Sequence, residues 1–462
     1  MRPVSSYPDI PSARRILLRR ARVPLCLTTP EAFMQAPDAS DAEGTALLDI
    51  LVDGGKLAAL GPSGGTHTPV DDGGTAQVDL AGRQVWPMFL DCHAHLDKTQ
   101  IIPRAENADG SFTGAREGSM ADRQRHWTQA DIEKRMEFAL RCAVHHGTSA
   151  IRTHLDSHEG QAEATWEVFQ NVRGKWRERI TLQAVALAVA EVYDTPFGDR
   201  LLDLVGAAGG IVGTFLRLPD NGTEMPHGID RFLDRLFEKA ARRELDVDLH
   251  VDETANPASR MLERVARSAL RTGFPGRVVC GHCCSLAMQP PAQVRRTLEL
   301  CAAAGVGIVT LPTANLYLQD RRPGITPRWR GVTLVREMQA AGLTVAVGGD
   351  NVRDPFFPYG DNDMLDTLRQ AVRVLHLDHP IADMPRLAGR NAAQLMGLDL
   401  GVLRPGADAR LVIFNARSLN EIMSRPQSDR MVLDRGHLVT EPLPAYEELD
   451  DILQVPYLGN KP

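Results

Sequence analysis

The stretch DCHAHLDK (91–98) follows directly on the apolar run VWPMFL (85–90). In an extended strand, residues two apart share a face, so His93 and His95 point the same way at the end of that run. Pro87 interrupts any helical alternative. Two imidazoles on one face can hold a metal ion, or they can be polar residues at a strand exit. The rest of the chain decides between these readings.

Downstream, strand-like and helix-like segments alternate. The candidate strands are VWPMFLDCHAH (85–95), TSAIRTHLDS (148–157), ITLQAVALA (180–188), GGIVGTFLRL (209–218), LDVDLHVDE (245–253), RVVCGHC (277–283), GVGIVTLP (305–312) and LTVAVGGD (343–350). Segments of helical periodicity such as DIEKRMEFALRCAVHH and IDRFLDRLFEKAARR separate them. Eight β units joined by helices are what a (β/α)8 TIM-type barrel requires, although a doubly wound sheet has a similar count. The polar residues favour the barrel. They fall at the C-terminal ends of the first, second, fifth, sixth and eighth strands, where a barrel gathers its chemistry.

Both chain ends read differently. RILLRRARV, LLDILVDGGKLAAL and AQVDLAGRQV near the start, and GVLRPGADARLVIF and MVLDRGHLVT near the end, are short β runs with tight turns. They predict a small accessory β-sandwich built from both ends, with 1–83 its N-terminal part, 84–400 the barrel, and 401–462 its C-terminal part and tail.

The 462 residues are 43% hydrophobic and 24% charged, a composition able to bury a large core. A net charge of −7 with scattered arginines argues against a nucleic-acid partner. No run approaches a membrane span, and arginines break up the N-terminal apolar residues, so no membrane partner and a cytoplasmic location are expected. Seven cysteines do not suggest a disulfide framework, and Cys280, Cys283 and Cys284 read as small buried residues. GAAGGIVG (206–213) leads into a strand instead of linking a strand to a helix, so no dinucleotide cofactor is expected.

His250 stands at the tip of the fifth strand with Glu253 three residues on; His282 ends the sixth, and Asp350 and Asn351 end the eighth. Taken singly, each is a hydrogen-bonded loop residue or a cap as readily as a ligand. Together with His93 and His95, at successive strand ends of a barrel, they make a metal site the better reading.

These stretches resemble the amidohydrolase superfamily, specifically its cytosine deaminase-like metal-dependent hydrolases. The likeness is carried in order by HAHLDKTQ (93–100), RTHLDS (152–157), DLHVDE (248–253), GHCCSLAM (281–288), NLYLQDR (315–321) with RGVTLVREM (330–338), and GGDNVRDPFFPYGDNDM (348–364). The resemblance implies His93, His95, His250 and Asp350 as ligands of one divalent metal, zinc or iron(II). Two-metal members use a carboxylated lysine at the end of the fourth strand; here that strand ends FLRLPD, which favours one ion.

A divalent cation lowers the pKa of bound water to about 7. By the same resemblance, His282 holds that water and stabilises developing charge, and Asp350 accepts its proton. Glu253 protonates a ring nitrogen and serves departing ammonia. Its alternative is a carboxylate at a helix start. His154 and Asp156 are expected to orient the ligands, and Lys98 to touch substrate or to form a salt bridge. Trp329, Phe356, Phe357 and Tyr359 are expected either to cover a planar ring or to pack loops.

Two positions depart from the cytosine deaminase pattern. Asn351 stands where a second Asp is usual, and Val189 falls where a glutamine reads the pyrimidine edge. Cytosine itself is therefore not the expected substrate. The Asn resembles relatives that release alkylamines from triazines, but those lack a glutamate at the place of Glu253. The expected function is deamination of a small nitrogen heterocycle with release of ammonia. The rival reactions are hydrolysis of a cyclic amide or an N-alkylamino-triazine. The rival class is a barrel scaffold without chemistry, against which all four ligand positions are filled. The resemblance also makes a homo-oligomer an expectation.

Overall fold

The run 85–95 forms two strands instead of one, and each joins a different sheet. The computed structural model describes residues 8–29, 40–64 and 74–453. The first five strands are β1 (Arg15–Pro24), β2 (Thr45–Asp53), β3 (Lys56–Pro62), β4 (Ala76–Asp79) and β5 (Val85–Pro87). Eight follow: β6 (Phe89–Ala94), β7 (Thr148–Asp156), β8 (Thr181–Ala188), β9 (Ile211–Leu216), β10 (Val247–Val251), β11 (Val278–His282), β12 (Gly307–Thr310) and β13 (Val345–Val347). The last three are β14 (Leu411–Ile413), β15 (Met431–Asp434) and β16 (His437–Leu438).

β5 pairs antiparallel with β14, setting Trp86 opposite Val412. The chain changes sheets at Met88, whose N–H donates to Arg410 O (2.9 Å), while the Phe89 N–H donates to Gly147 O (2.8 Å). The apolar run is continuous because both sheets bury their share of it, so hydrophobicity alone carried no sign of the break.

The chain divides into two compact units. One comprises residues up to Leu90, Val144–Ser149 and Met364–Pro442. It holds two four-stranded sheets, ordered β3-β2-β1-β4 and β16-β15-β14-β5. Ile16, Leu18, Ile50 and Val52 share one core with Leu411, Ile413 and Leu433, so the two ends of the chain fold against each other. Truncating a residue such as Ile413 to Ala would cost about 2–5 kcal/mol.

The other unit comprises Asp91–Ala143, Ala150–Asp363 and the chain from Leu443 onward. Its eight strands run in the order β6 to β13, and the pairings from β7 to β13 are parallel. A parallel bridge between Ala94 and Asp350 joins the two ends of the sheet, with the Asp350 N–H donating to His93 O at 2.7 Å. The sheet is thus a closed (β/α)8 barrel, and the seam falls at the residues singled out by sequence. Asp91 staples it: its Oδ1 accepts from the N–H groups of Gly349 (2.9 Å) and His93 (3.2 Å). Gly348 is required here because a Cβ would lie 2.8 Å from His93 Cβ and 2.8 Å from Leu311 Cδ2.

Candidate active site

The C-terminal ends of the barrel strands bring together the residues that the sequence scatters over 250 positions. His93 comes from β6 and His95 directly follows it, His250 comes from β10 and His282 from β11, and Asp350 follows β13. His282 and Asp350 both take left-handed backbone (φ 66° and 63°), a strained conformation that turns them out of their strands. Surrounding hydrogen bonds hold it. Thr333 Oγ1 donates to His282 O at 2.7 Å, and the Cys283 N–H donates to Val251 O at 2.8 Å.

His250 Nε2 lies 3.1 Å from His93 Nε2 and 3.3 Å from His95 Nε2. Asp350 Oδ1 is 3.6 Å from His93 Nε2 and 3.2 Å from His95 Nε2. Ligand atoms about 2.0–2.2 Å from a tetrahedral ion stand about 3.3–3.6 Å from one another. Burial, reinforced by the neighbouring positive groups and histidines, holds all three imidazoles well below the ordinary histidine range. They are therefore neutral, the form that ligates metals. Neither Asp350 oxygen has a hydrogen-bond partner, although both are buried. Three imidazole nitrogens and a carboxylate oxygen that converge on one point cannot all be paired by imidazole protons, whereas a cation among them meets every lone pair. The cluster fits one divalent ion. A second grouping of His93, His154 and Asp248 shares His93, and its Asp248 is already bound by Arg152 Nη1 at 2.8 Å.

His154 packs its ring 4.0 Å from that of His93 and meets Asp248 Oδ1 at 3.3 Å, beneath the cluster. Burial opposes the charge on Asp248, but His154 and Arg152 outweigh it and keep the carboxyl below its usual range. Asp156 is placed otherwise. It lines the cavity and binds Lys98 Nζ (3.1 Å) and Arg123 Nη1 (3.3 Å). Lys98 therefore forms a salt bridge and faces the cavity at once.

The cavity above the cluster has a volume of about 260 Å³. It lies near the low end of ligand pockets, which suits a compact planar molecule. His95, His250, Glu253, His282 and Asp350 form part of its wall. Glu253 Oε1 is 3.8 Å from His282 Nδ1, and the Glu253 main-chain carbonyl accepts from Arg217 Nη1 at 2.8 Å. Asn315 Oδ1, which can only accept, lies 2.9 Å from His282 Nδ1. With Asn315 Oδ1 as its acceptor, His282 Nδ1 donates, and the buried Nε2 has no protein partner.

Val189, just past β8, lines the cavity with a side chain that makes no hydrogen bonds. Asn351 also lines it, with Nδ2 donating to Asp354 Oδ2 at 2.7 Å. Of the four rim aromatics, only Phe356 reaches the cavity; Tyr359 is 64% exposed and packs with Phe357 and Tyr317.

One wall was missed from sequence. Helix α1 (Phe112–His126) contributes Phe112, Arg116, Ser119, Met120 and Arg123. Its stretch FTGAREGSMADRQRH has no apolar stripe, so nothing in its periodicity marked it as packed. Ser111 caps it by accepting from the Gly114 N–H at 2.9 Å. Arg104 anchors its far end, donating to Asp122 Oδ1 (2.8 Å), Asp131 Oδ1 (2.7 Å) and Ile452 O (2.7 Å). Asn315 and Asp91 were missed as well, since neither lies in a spacing that marks a ligand.

Comparison with known proteins agrees with this geometry. The model of the amidohydrolase family matches residues 129–439. A pterin deaminase of Rhizobium rhizogenes is 44% identical over 450 residues, 97% of this chain and 99% of that protein. The crystal structure of 5-methylcytosine deaminase from Klebsiella pneumoniae, liganded with phosphonocytosine, superposes with a TM-score of 0.76. It is 24% identical and the match covers 92% of this chain and 98% of that one. N-isopropylammelide isopropylaminohydrolase from Burkholderia multivorans has a TM-score of 0.72 at 26% identity, with 92% and 98% covered. No helix among the described residues is long and apolar enough to cross a membrane. With a barrel closed at the HxH strand, a three-histidine, one-aspartate cluster at its mouth, and these relatives, the chain belongs to the amidohydrolase family.

Proposed function

We propose that this chain hydrolyses the exocyclic amine of a small, planar aminoheterocycle of the pterin class, releasing ammonia. The observation that carries the reading is Glu253 beside His282 in the wall of a small cavity whose floor is the His93, His95, His250 and Asp350 cluster. The pterin deaminase relative supports the ring class. Three imidazoles and one carboxylate suit zinc or iron(II). Such an ion would act as a Lewis acid and make a water nucleophilic at neutral pH.

The protein's own groups account for the proton movements. Both protons of the water leave its oxygen. One ends on the ring nitrogen and the other on the amine, which departs as ammonia while a carbonyl forms on the ring. Asp350 and His282 Nε2 serve the oxygen side, with Asn315 accepting from His282 Nδ1. Glu253 serves the nitrogen side, relaying a proton to the ring and then to the leaving amine. Val189 offers no polar group for reading the ring, so that task falls to Lys98, Asp156 and Asn351. His154 orients His93 from beneath through its bond to Asp248.

Asn351 favours a second reading, release of an alkylamine from a triazine, as named for the Burkholderia relative. Incubation with pterin, aminopyrimidines and N-isopropylammelide separates the two. Ammonia from pterin, with heavy oxygen from labelled water in the product, supports deamination. Isopropylamine release without action on pterin refutes it.

A further inference from the structure

Beside the catalytic cavity lies a second, larger one of about 550 Å³, and the two share Arg116, Val189 and Phe215 in their walls. The two cavities are therefore neighbours, with these three residues at their boundary, and the second forms a groove beside the first. The charge of this groove runs against that of the chain. Arg116, Arg217, Arg231 and Arg235 face only Glu191 and Asp194, four guanidiniums to two carboxylates, in a protein of net charge −7. Arg235 is already bound to Asp194, with its Nε 3.1 Å from Oδ1. Arg217 sits over the Phe112 ring, 4.1 Å from its centre, and spends one N–H on Glu253 O, which leaves other donors free. Arg116 and Arg231 are exposed and have no carboxylate partner among the described residues. Free guanidiniums beside the reaction site have an evident ligand, because their planar forks match carboxylate and phosphate oxygens.

We propose that this groove binds an anionic substituent of the substrate, a carboxylate or a phosphate, through Arg116, Arg217 and Arg231, while the ring occupies the catalytic cavity. The inference rests on the deaminase reading and adds the substrate's charged arm to it. Arg217 links the two regions directly. The guanidinium that faces the groove also holds the main chain of Glu253, so an anion drawn to it approaches the segment that carries the proton relay.

The test compares pterin with the same ring bearing a carboxylate, and bearing a phosphate ester, on the edge remote from the amine. Ammonia release gives kcat/KM for each, and equilibrium titration of Glu253→Gln protein gives binding without turnover. The wild type is expected to prefer the acidic rings. Arg231→Glu lowers the ratio of acidic to unsubstituted kcat/KM by roughly three- to tenfold, mainly through KM. Glu191→Gln raises that ratio, and added salt reduces it. A larger Arg231→Glu effect on the phosphate ester than on the carboxylate identifies phosphate as the preferred group, a larger effect on the carboxylate identifies carboxylate, and equal effects support a groove that reads negative charge alone. Deamination with a ratio unmoved by either substitution overturns the groove and leaves the deaminase reading standing. Acidic rings that bind in an Arg231-dependent way but release no ammonia support the groove and overturn the deaminase reading.

Discussion

Glu253→Gln separates the proposed proton relay from everything else the site does. The substitution keeps the shape of the side chain and removes its ability to exchange a proton. Two features indicate that the fold around it survives. Arg217 holds this residue by its main-chain carbonyl, which the variant retains, and the carboxylate lies outside the group of four that would hold the metal. Positioned general acid–base groups contribute about 10²–10⁴-fold to rate, or about 2.7–5.4 kcal/mol at 1.36 kcal/mol per decade. Glu253 serves both halves of the reaction, so the upper part of that range applies. The assay is steady-state ammonia release from pterin, with metal content and thermal unfolding measured on the same preparations. The account expects kcat to fall by about 10³–10⁴, with KM, metal content and melting temperature close to wild type. A fall of less than about tenfold would refute the relay, since general acid–base roles are worth more than that. Loss of metal in step with activity would refute it too, by making Glu253 a structural part of the cluster.

Asn315→Leu frees His282 Nδ1 from its acceptor, so kcat should fall by about tenfold or more while metal content, read by elemental analysis, stays near wild type. Arg104→Met leaves Asp122 and Asp131 without their shared guanidinium and unties α1 from Ile452 O. Asp131 keeps its bonds to Arg135, but the buried Asp122 loses its guanidinium, a loss of about 3–5 kcal/mol at most, and KM should rise more than kcat falls, as read by denaturant unfolding and steady-state kinetics. Gly348→Ala forces a methyl group against His93 and Leu311; overpacking costs about 1–3 kcal/mol, and metal affinity in competition with a chelator should weaken.

The parts of this protein that are legible in its sequence are those governed by strong local periodicity. Strand ends that carry histidine or aspartate, such as His250 in LDVDLHVDE and Asp350 in LTVAVGGD, read directly because each follows a buried, mainly apolar strand at the same end of the barrel. The eight strands appear in the expected order, and strands from both ends of the chain form the accessory sheets, whereas the chain from Leu443 onward belongs to the barrel unit. The hidden features depend on tertiary contacts. Continuous apolarity across Met88 concealed the passage from one sheet to another. Helix α1 is polar because one face lines a cavity and its end is held by Arg104, not by an apolar core. Asp156 is drawn to the cavity by Lys98 and Arg123, which lie 58 and 33 positions before it in the chain. Trp329 and Tyr359 lie near motif residues in sequence but outside the cavity wall, Tyr359 packing on Tyr317 and Phe357 instead.

The most direct test of the central claim is metal content per chain, measured by elemental analysis of the wild type and of His93→Ala alongside ammonia release. The account predicts about one zinc or iron ion per wild-type chain, as a single tetrahedral cluster would hold. It predicts nearly none in the variant, with ammonia release lost together with the metal. Two ions per chain, or a metal-free wild type that still releases ammonia, would contradict it.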